Sequence, residues 1–357
     1  MKKLFALILA GALAAGTLTA CGSTAVVAVP QPEESAPPAG EPTQVSTPEN
    51  SGAAVKTGYY LGTDISGSKS AAAEEEGVAQ ANLELVAVTV TDEGVIDDCV
   101  IDAIQSKINF DTTGAITTDL TAPVLSKNEL GSNYGMVKAS SIGKEWNEQV
   151  QALADYVEGK TLDEIRGIAV TEEGKAGEAD LAASVTISIA GYLDAIEQAA
   201  ANATHLGARQ GDTLVLTTST DIAGSKDAGP EGDGTAQTYA TVAAITLNGD
   251  VITSCIIDAV QADVNFDTAG AVTTDLTAPV LSKNQLGDDY GMKKASSIGK
   301  EWYEQAAAFS AYVVGKTPEE VSGIAINEKG GAADADLAAS VTVSIGEFQA
   351  LVAKAGA

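Results

Sequence analysis

The chain has 357 residues, a formal net charge of −29 and only 20 lysines and arginines. So acidic a protein is a poor partner for nucleic acid or for anionic headgroups, because both would repel it. Three cysteines and one histidine also exclude a disulfide framework and a His-based triad or zinc site in each half of the chain.

In chain order, the first element is a targeting segment. Lys2 and Lys3 precede Leu4 to Ala14, an apolar run too short for an ordinary spanning helix. It ends in Leu18-Thr19-Ala20-Cys21, which resembles a bacterial lipobox. That resemblance implies lipidation of Cys21, cleavage before it, and anchoring on the extracytoplasmic face of the cell membrane. Residues 1–21 are thus read as signal peptide. Residues 22–56 are read as a disordered tether, since six of the ten prolines fall there with almost no large apolar side chain.

Beyond the tether the chain repeats itself. Val88 to Thr186 recur about 156 positions later, from Ala244 to Thr342, read without a gap. A period of this length is a domain used twice. The predicted fold class is therefore α+β: two tandem homologous modules at 57–203 and 212–357, each an antiparallel sheet packed with helices. Residues 204–211 form a linker with limited freedom.

Within each module a hairpin comes first. Leu83–Val90 and Val95–Ile101 flank Thr91-Asp92-Glu93-Gly94, and Tyr239–Leu247 and Val251–Ile257 flank Asn248-Gly249-Asp250. A polar connection from Asp111 to Gly135 leads to a helix over Lys144–Val157, with Trp146, Val150, Leu153, Ala154 and Val157 on one face. Thr161 and Glu164 form a capping box for a short helix ending at Gly167. Each module closes with Asp-Leu-Ala-Ala-Ser-Val-Thr, at 180–186 and 336–342, and a last helix expected to start just after the threonine.

Three groups of residues are candidates for chemistry. The repeated aspartates Asp102, Asp111 and Asp119, with Asp258, Asp267 and Asp275, could serve a hydrolase, but turn chemistry and solvated carboxylates explain them more simply. Cys99 and Cys255 are read as packing residues of buried strands, and His205 occurs once, between the modules. Lys127, Lys138 and Lys144, with Lys283, Lys293, Lys294 and Lys300, concentrate positive charge beside Tyr134 and Tyr290. Aromatics and lysines near a helix start suit a planar anionic ligand, with Tyr134, Lys138, Tyr290 and Lys294 as contacts.

The closing segment adds a threonine placed, in this reading, beside free backbone N–H groups at a helix N-terminus, which favours a phosphate. The order of elements, the stretch from Tyr290-Gly291-Met292-Lys293 to Trp302, and the Asp180–Thr186 spacing resemble the FMN-binding domains of bacterial surface lipoproteins used in extracellular electron transfer. There FMN is joined through its phosphate to the threonine of D-x-x-[ST]-G-A-T. The resemblance implies Thr186 and Thr342 as phosphoester acceptors, with Asp180, Asp336, Ser184 and Ser340 around them. It further implies a flavin transferase and a membrane dehydrogenase as partners, and electron carriage rather than catalysis. The middle of the motif departs: Ala183-Ser184-Val185 and Ala339-Ser340-Val341 stand where the family has [ST]-G-A. The alternative is a cofactor-free surface lipoprotein that binds a partner or small ligand.

Overall fold

Alternation of apolar side chains over long β-branched runs gives each repeat three antiparallel strands. In the computed structural model, which describes residues 51–357, these are β1 (Lys56–Asp64), β2 (Gly77–Val90) and β3 (Ile96–Phe110), then β4 (Thr213–Asp221), β5 (Gly234–Asn248) and β6 (Val251–Phe266). They form two three-stranded sheets, β1-β2-β3 and β4-β5-β6. The signal peptide, Cys21 and most of the expected tether lie outside the described residues. Its last residues do not behave as tether: Val55 is fully buried and its N–H donates to Ala208 O.

Helices follow each sheet. The first repeat has α1 (Lys127–Leu130), α2 (Trp146–Val157), α3 (Leu162–Arg166), α4 (Ala179–Ala182) and α5 (Ala190–Ala201). The second has α6 (Lys283–Leu286), α7 (Trp302–Val313), α8 (Pro318–Ser322), α9 (Ala335–Ala338) and α10 (Gly346–Lys354). The helix expected from Lys144 begins at Trp146, because Glu145 and Glu148 cap it reciprocally. The Thr161–Glu164 box starts α3 as expected.

The strand registers correct one detail of the repeat. Cys99 pairs with Val88 and Cys255 with Ile245, so Val88 is equivalent to Ile245 and not to Ala244. The hairpin turn of the second repeat is one residue shorter. Upstream of it every equivalence shifts by one, and with period-2 alternation that decides which face a side chain occupies.

Both faces of each sheet are covered. Val86, Val88 and Val90 of β2 pack with Trp146, Val150, Leu153 and Ile196 from α2 and α5. Ala79, Ala81, Leu83 and Leu85, on the other face, pack with Ala236, Ala240 and Val242 of β5. The architecture is helices, sheet, sheet, helices, and the middle core is built jointly by the two repeats. Its centre is the stack of Phe110 on Phe266, ring centroids 4.0 Å apart and 3° from parallel. Gly77 and Gly234 make room for these rings, since a Cβ at either would stand 2.2 and 2.4 Å from the paired phenylalanine.

Several polar contacts across this interface come in matched pairs. Ala71 N donates to Gly270 O and Ala228 N to Gly114 O, both at 2.8 Å. Ile116 N donates to Asp227 Oδ1 and Val272 N to Ser70 Oγ. The 204–211 segment is also laced down, with Thr204 and Gln210 bonded to Thr57 and Ala53. The segment is packed onto the fold, and the described residues fall in one compact unit.

Candidate functional site

The closing motif sits on α4 and the loop after it. Leu181 and Val185, like Leu337 and Val341, point into the core. Asp180 and Asp336 face solvent, while Ser184 and Ser340 are half-buried. The helix expected just after Thr186 begins four residues later, at Ala190, and the N–H groups of Ile189 and Ala190 both donate to Gly174 O.

Thr186 is nevertheless the focus of converging donors. Its N–H and Oγ1 donate to Gln149 Oε1 at 2.8 and 3.1 Å, and Ile187 N donates to the same oxygen at 3.3 Å. Gln149 is fully buried on α2, held by its Nε2 on Ser140 Oγ and Lys144 O. Thr342, Val343 and Gln305 repeat the arrangement, again at 2.8 and 3.1 Å to the threonine. An amide oxygen of the chain itself thus takes all three donors at each threonine. The residues present do not fit a phosphoester at Thr186 or Thr342: the donors are taken up, the helix start is elsewhere, and Val185 and Val341 fill the place of a small residue with core side chain. Gln149 was not singled out from the sequence, although a repeated glutamine one step from Val150 on an apolar helix face is the signal that marks it.

The lysine-bearing segment is rearranged in the same sense. Met136 N and Val137 N donate to the buried Glu145 carboxylate, and Met292 N and Lys293 N to that of Glu301. An anionic ligand there would meet a carboxylate already in possession of the donors. Lys138 and Lys294 are exposed and reach no aromatic ring. Lys127 and Lys283 do. Lys127 Nζ lies 4.9 Å from the Tyr134 ring centre and 4.8 Å from that of Trp146. Lys283 Nζ lies 4.7, 5.2 and 4.8 Å from Tyr239, Tyr290 and Trp302.

The short helices that carry these lysines are fixed by Asp102 and Asp258, which read from the sequence as turn or solvated carboxylates. Asp102 and Asp258 are buried within β3 and β6. Each accepts through Oδ1 from the next residue of its strand and from Asn128 N or Asn284 N, which fixes α1 or α6 on the sheet. Asp119 and Asp275 make the expected turns with Thr121 and Thr277.

In the first repeat the lysine borders a cavity of about 370 Å³. Tyr60, Asn82, Glu84, Gln105, Lys127 and Tyr192 line it. Glu84 Oε1 is buried there without a hydrogen-bond partner. Burial pushes this carboxyl up to about 7, Asp194 adds to the rise and Lys127 opposes it. A buried acceptor left unpaired costs about 1–3 kcal/mol, so the geometry favours a donor brought by something else. Neither Glu84 nor this cavity was found from the sequence, because Glu84 reads as an ordinary outward residue of an alternating strand.

Burial likewise raises Asp102 and Asp258 to about 6, opposed by hydrogen bonds from Ser126 and Ser282. Free aspartate titrates near 4. The folded state therefore binds these protons more tightly than the unfolded chain. That stabilisation is complete below about pH 4 and is lost as pH rises through 6 to 7. The urea midpoint is expected to rise as pH falls from about 8 to about 5, and Asp102→Asn with Asp258→Asn should flatten the slope. A midpoint that falls steadily over that interval would contradict the assignment.

Cys99 and Cys255 are buried free thiols, raised by burial, as their strand positions suggested. His205 contacts exposed Asp92. Among the described residues no cluster of His, Cys, Asp and Glu could hold a metal, and no helix is long and apolar enough to cross a membrane. Searches against family models, curated proteins and solved structures match nothing.

Proposed function

We propose that this chain is a lipid-anchored extracytoplasmic binding protein that takes a small polar ligand in the cavity of its first repeat. The observation that carries this reading is Glu84 Oε1, buried in a cavity beside Lys127 with no partner of its own. Tyr60 and Tyr192 supply aromatic wall, and Asn82 and Gln105 supply amides, the mixture usual in sites for small molecules. Anchoring through Cys21 follows from the lipobox.

The test is a thermal-shift and calorimetric screen of the mature chain against amino acids, amines, phenols and free flavins. A ligand of this site should lose at least tenfold in affinity in Glu84→Gln and in Lys127→Met. If every ligand found binds these variants as well as it binds the parent, the site is wrong. A covalent flavin carrier would instead have a phosphoester at Thr186 or Thr342. Since Gln149 and Gln305 hold those donors, the peptide portion of the mature chain is expected to have its unmodified mass and no absorbance in the flavin band, even when produced beside a flavin transferase. A yellow protein heavier by one FMN would overturn that expectation.

A further inference from the structure

The two repeats carry the same lysine but surround it differently. Asn82 pairs with Asp64 and Gln105, and Tyr239 pairs with Asp221 and Gln261, so Tyr239 stands in the place of Asn82. In the second repeat the Tyr239 hydroxyl oxygen accepts from Lys283 Nζ at 2.9 Å, and the ring forms a third aromatic wall of the lysine site. In the first repeat the shorter Asn82 instead accepts from Gln80 and Gln105, and Lys127 keeps two rings.

The carboxylate has changed sides in parallel. Glu84 pairs with Ala103, and Thr241 with Ala259, so the strand glutamate is a threonine in the second repeat. The Glu84 carboxyl lies against the first turn of α5, with Oε2 and Oε1 3.3 and 3.5 Å from where a Cβ on Gly191 would stand. The residue at that place on α10 is Glu347, whose charge acts on Tyr239. Each repeat therefore sets a lysine and a carboxylate around one position. In the second repeat a phenol of the chain fills it. In the first repeat the cavity lies there, and the carboxylate has an oxygen without a partner.

We infer that the cavity of the first repeat takes the phenol ring of a small ligand, in the position that Tyr239 fills in the second. One hydroxyl meets both polar groups: its oxygen accepts from Lys127 Nζ and its proton is donated to the Glu84 carboxylate. The face of the ring meets the ammonium as Tyr239 meets Lys283, an attraction of about 0.5–2 kcal/mol that an aliphatic alcohol would lack. A cavity of about 370 Å³ exceeds one ring, so a para substituent is accommodated. The assignment rests on the binding reading above and names its ligand class.

The experiment is isothermal titration of the mature chain with p-cresol and tyramine, with toluene and cyclohexanol as controls. One equivalent of p-cresol should bind, with toluene and cyclohexanol at least tenfold weaker. Asn82→Tyr should place a phenol under Lys127 from within, abolish p-cresol binding and raise the melting temperature. Tyr239→Ala should admit a second equivalent. Should Asn82→Tyr fail to fold, Lys127→Met takes its place and must weaken p-cresol at least tenfold. Absence of p-cresol binding to the parent chain, or binding indifferent to both substitutions, overturns the inference. If p-cresol fails while another small ligand binds and depends on Glu84 and Lys127, only the phenol assignment falls. If no ligand depends on those residues, the binding reading falls with it.

Discussion

Phe110→Ala is expected to destabilise the whole described unit by about 3–5 kcal/mol, the usual loss for a fully buried phenylalanine. The loss should sit at the upper end. The ring gives up its stack on Phe266, and Gly77, which approaches it closely, cannot fill the space. More telling than the size is where it is felt. The chain has two tryptophans, Trp146 under the first sheet and Trp302 under the second. Single-tryptophan versions, made with Trp302→Phe and Trp146→Phe, should report the same denaturant midpoint and the same shift on Phe110→Ala, because the middle core belongs to both repeats. A shift confined to Trp146 would mean that the repeats unfold independently, contrary to the shared core.

The second large effect is expected at Gln149. Replacing it with leucine keeps the volume and removes the one oxygen that accepts from Thr186 N, Thr186 Oγ1 and Ile187 N. These donors are part-buried, and an unpaired one costs about 1–3 kcal/mol when fully buried, so Gln149→Leu should lose about 2–3 kcal/mol in all. Thr186→Val removes only the hydroxyl donor and should lose about 1 kcal/mol. Hydrogen exchange gives the local readout: the amides of Thr186 and Ile187 should lose protection in Gln149→Leu and keep it in Thr186→Val. Equal stability losses in the two variants would show that Gln149 does not organise this loop.

Much of this fold was legible beforehand because it is written in local patterns. The hairpins, the Trp146–Val157 helix and the Thr161–Glu164 cap all follow from period and capping chemistry. What pairs with what across long separations was not. Strands buried on both faces look the same whether the second cover is a helix or another sheet, so the joint core at Phe110 and Phe266 left no local mark. The one-residue difference between the hairpin turns also escaped, and with it the match of Tyr239 to Asn82.

The site residues divide in the same way. At Thr186 the sequence suggests free donors at a helix N-terminus, whereas the donors there are taken by Gln149, 37 positions away, and the helix starts at Ala190. Lysine beside aromatics was anticipated, but the reading favoured Lys138 and Lys294 over Lys127 and Lys283, which are one helix earlier and nearer the sheet. The aspartates read as solvated groups because the sequence places Asp102 near the end of an apolar run, whereas β3 continues eight residues beyond it, to Phe110.

The matched contacts between the repeats have an ancestral consequence. Ala71 reaches Gly270 as Ala228 reaches Gly114, and Phe110 faces its own copy. This is the isologous pattern of a twofold homodimer, in which one surface recognises itself. A single-repeat precursor with this face would have associated in pairs, and fusion made that encounter intramolecular. Fusion also lifted the constraint that both protomers be identical. Only then could one copy seal its lysine site with Tyr239 while the other stayed open, a division of labour that a homodimer cannot have.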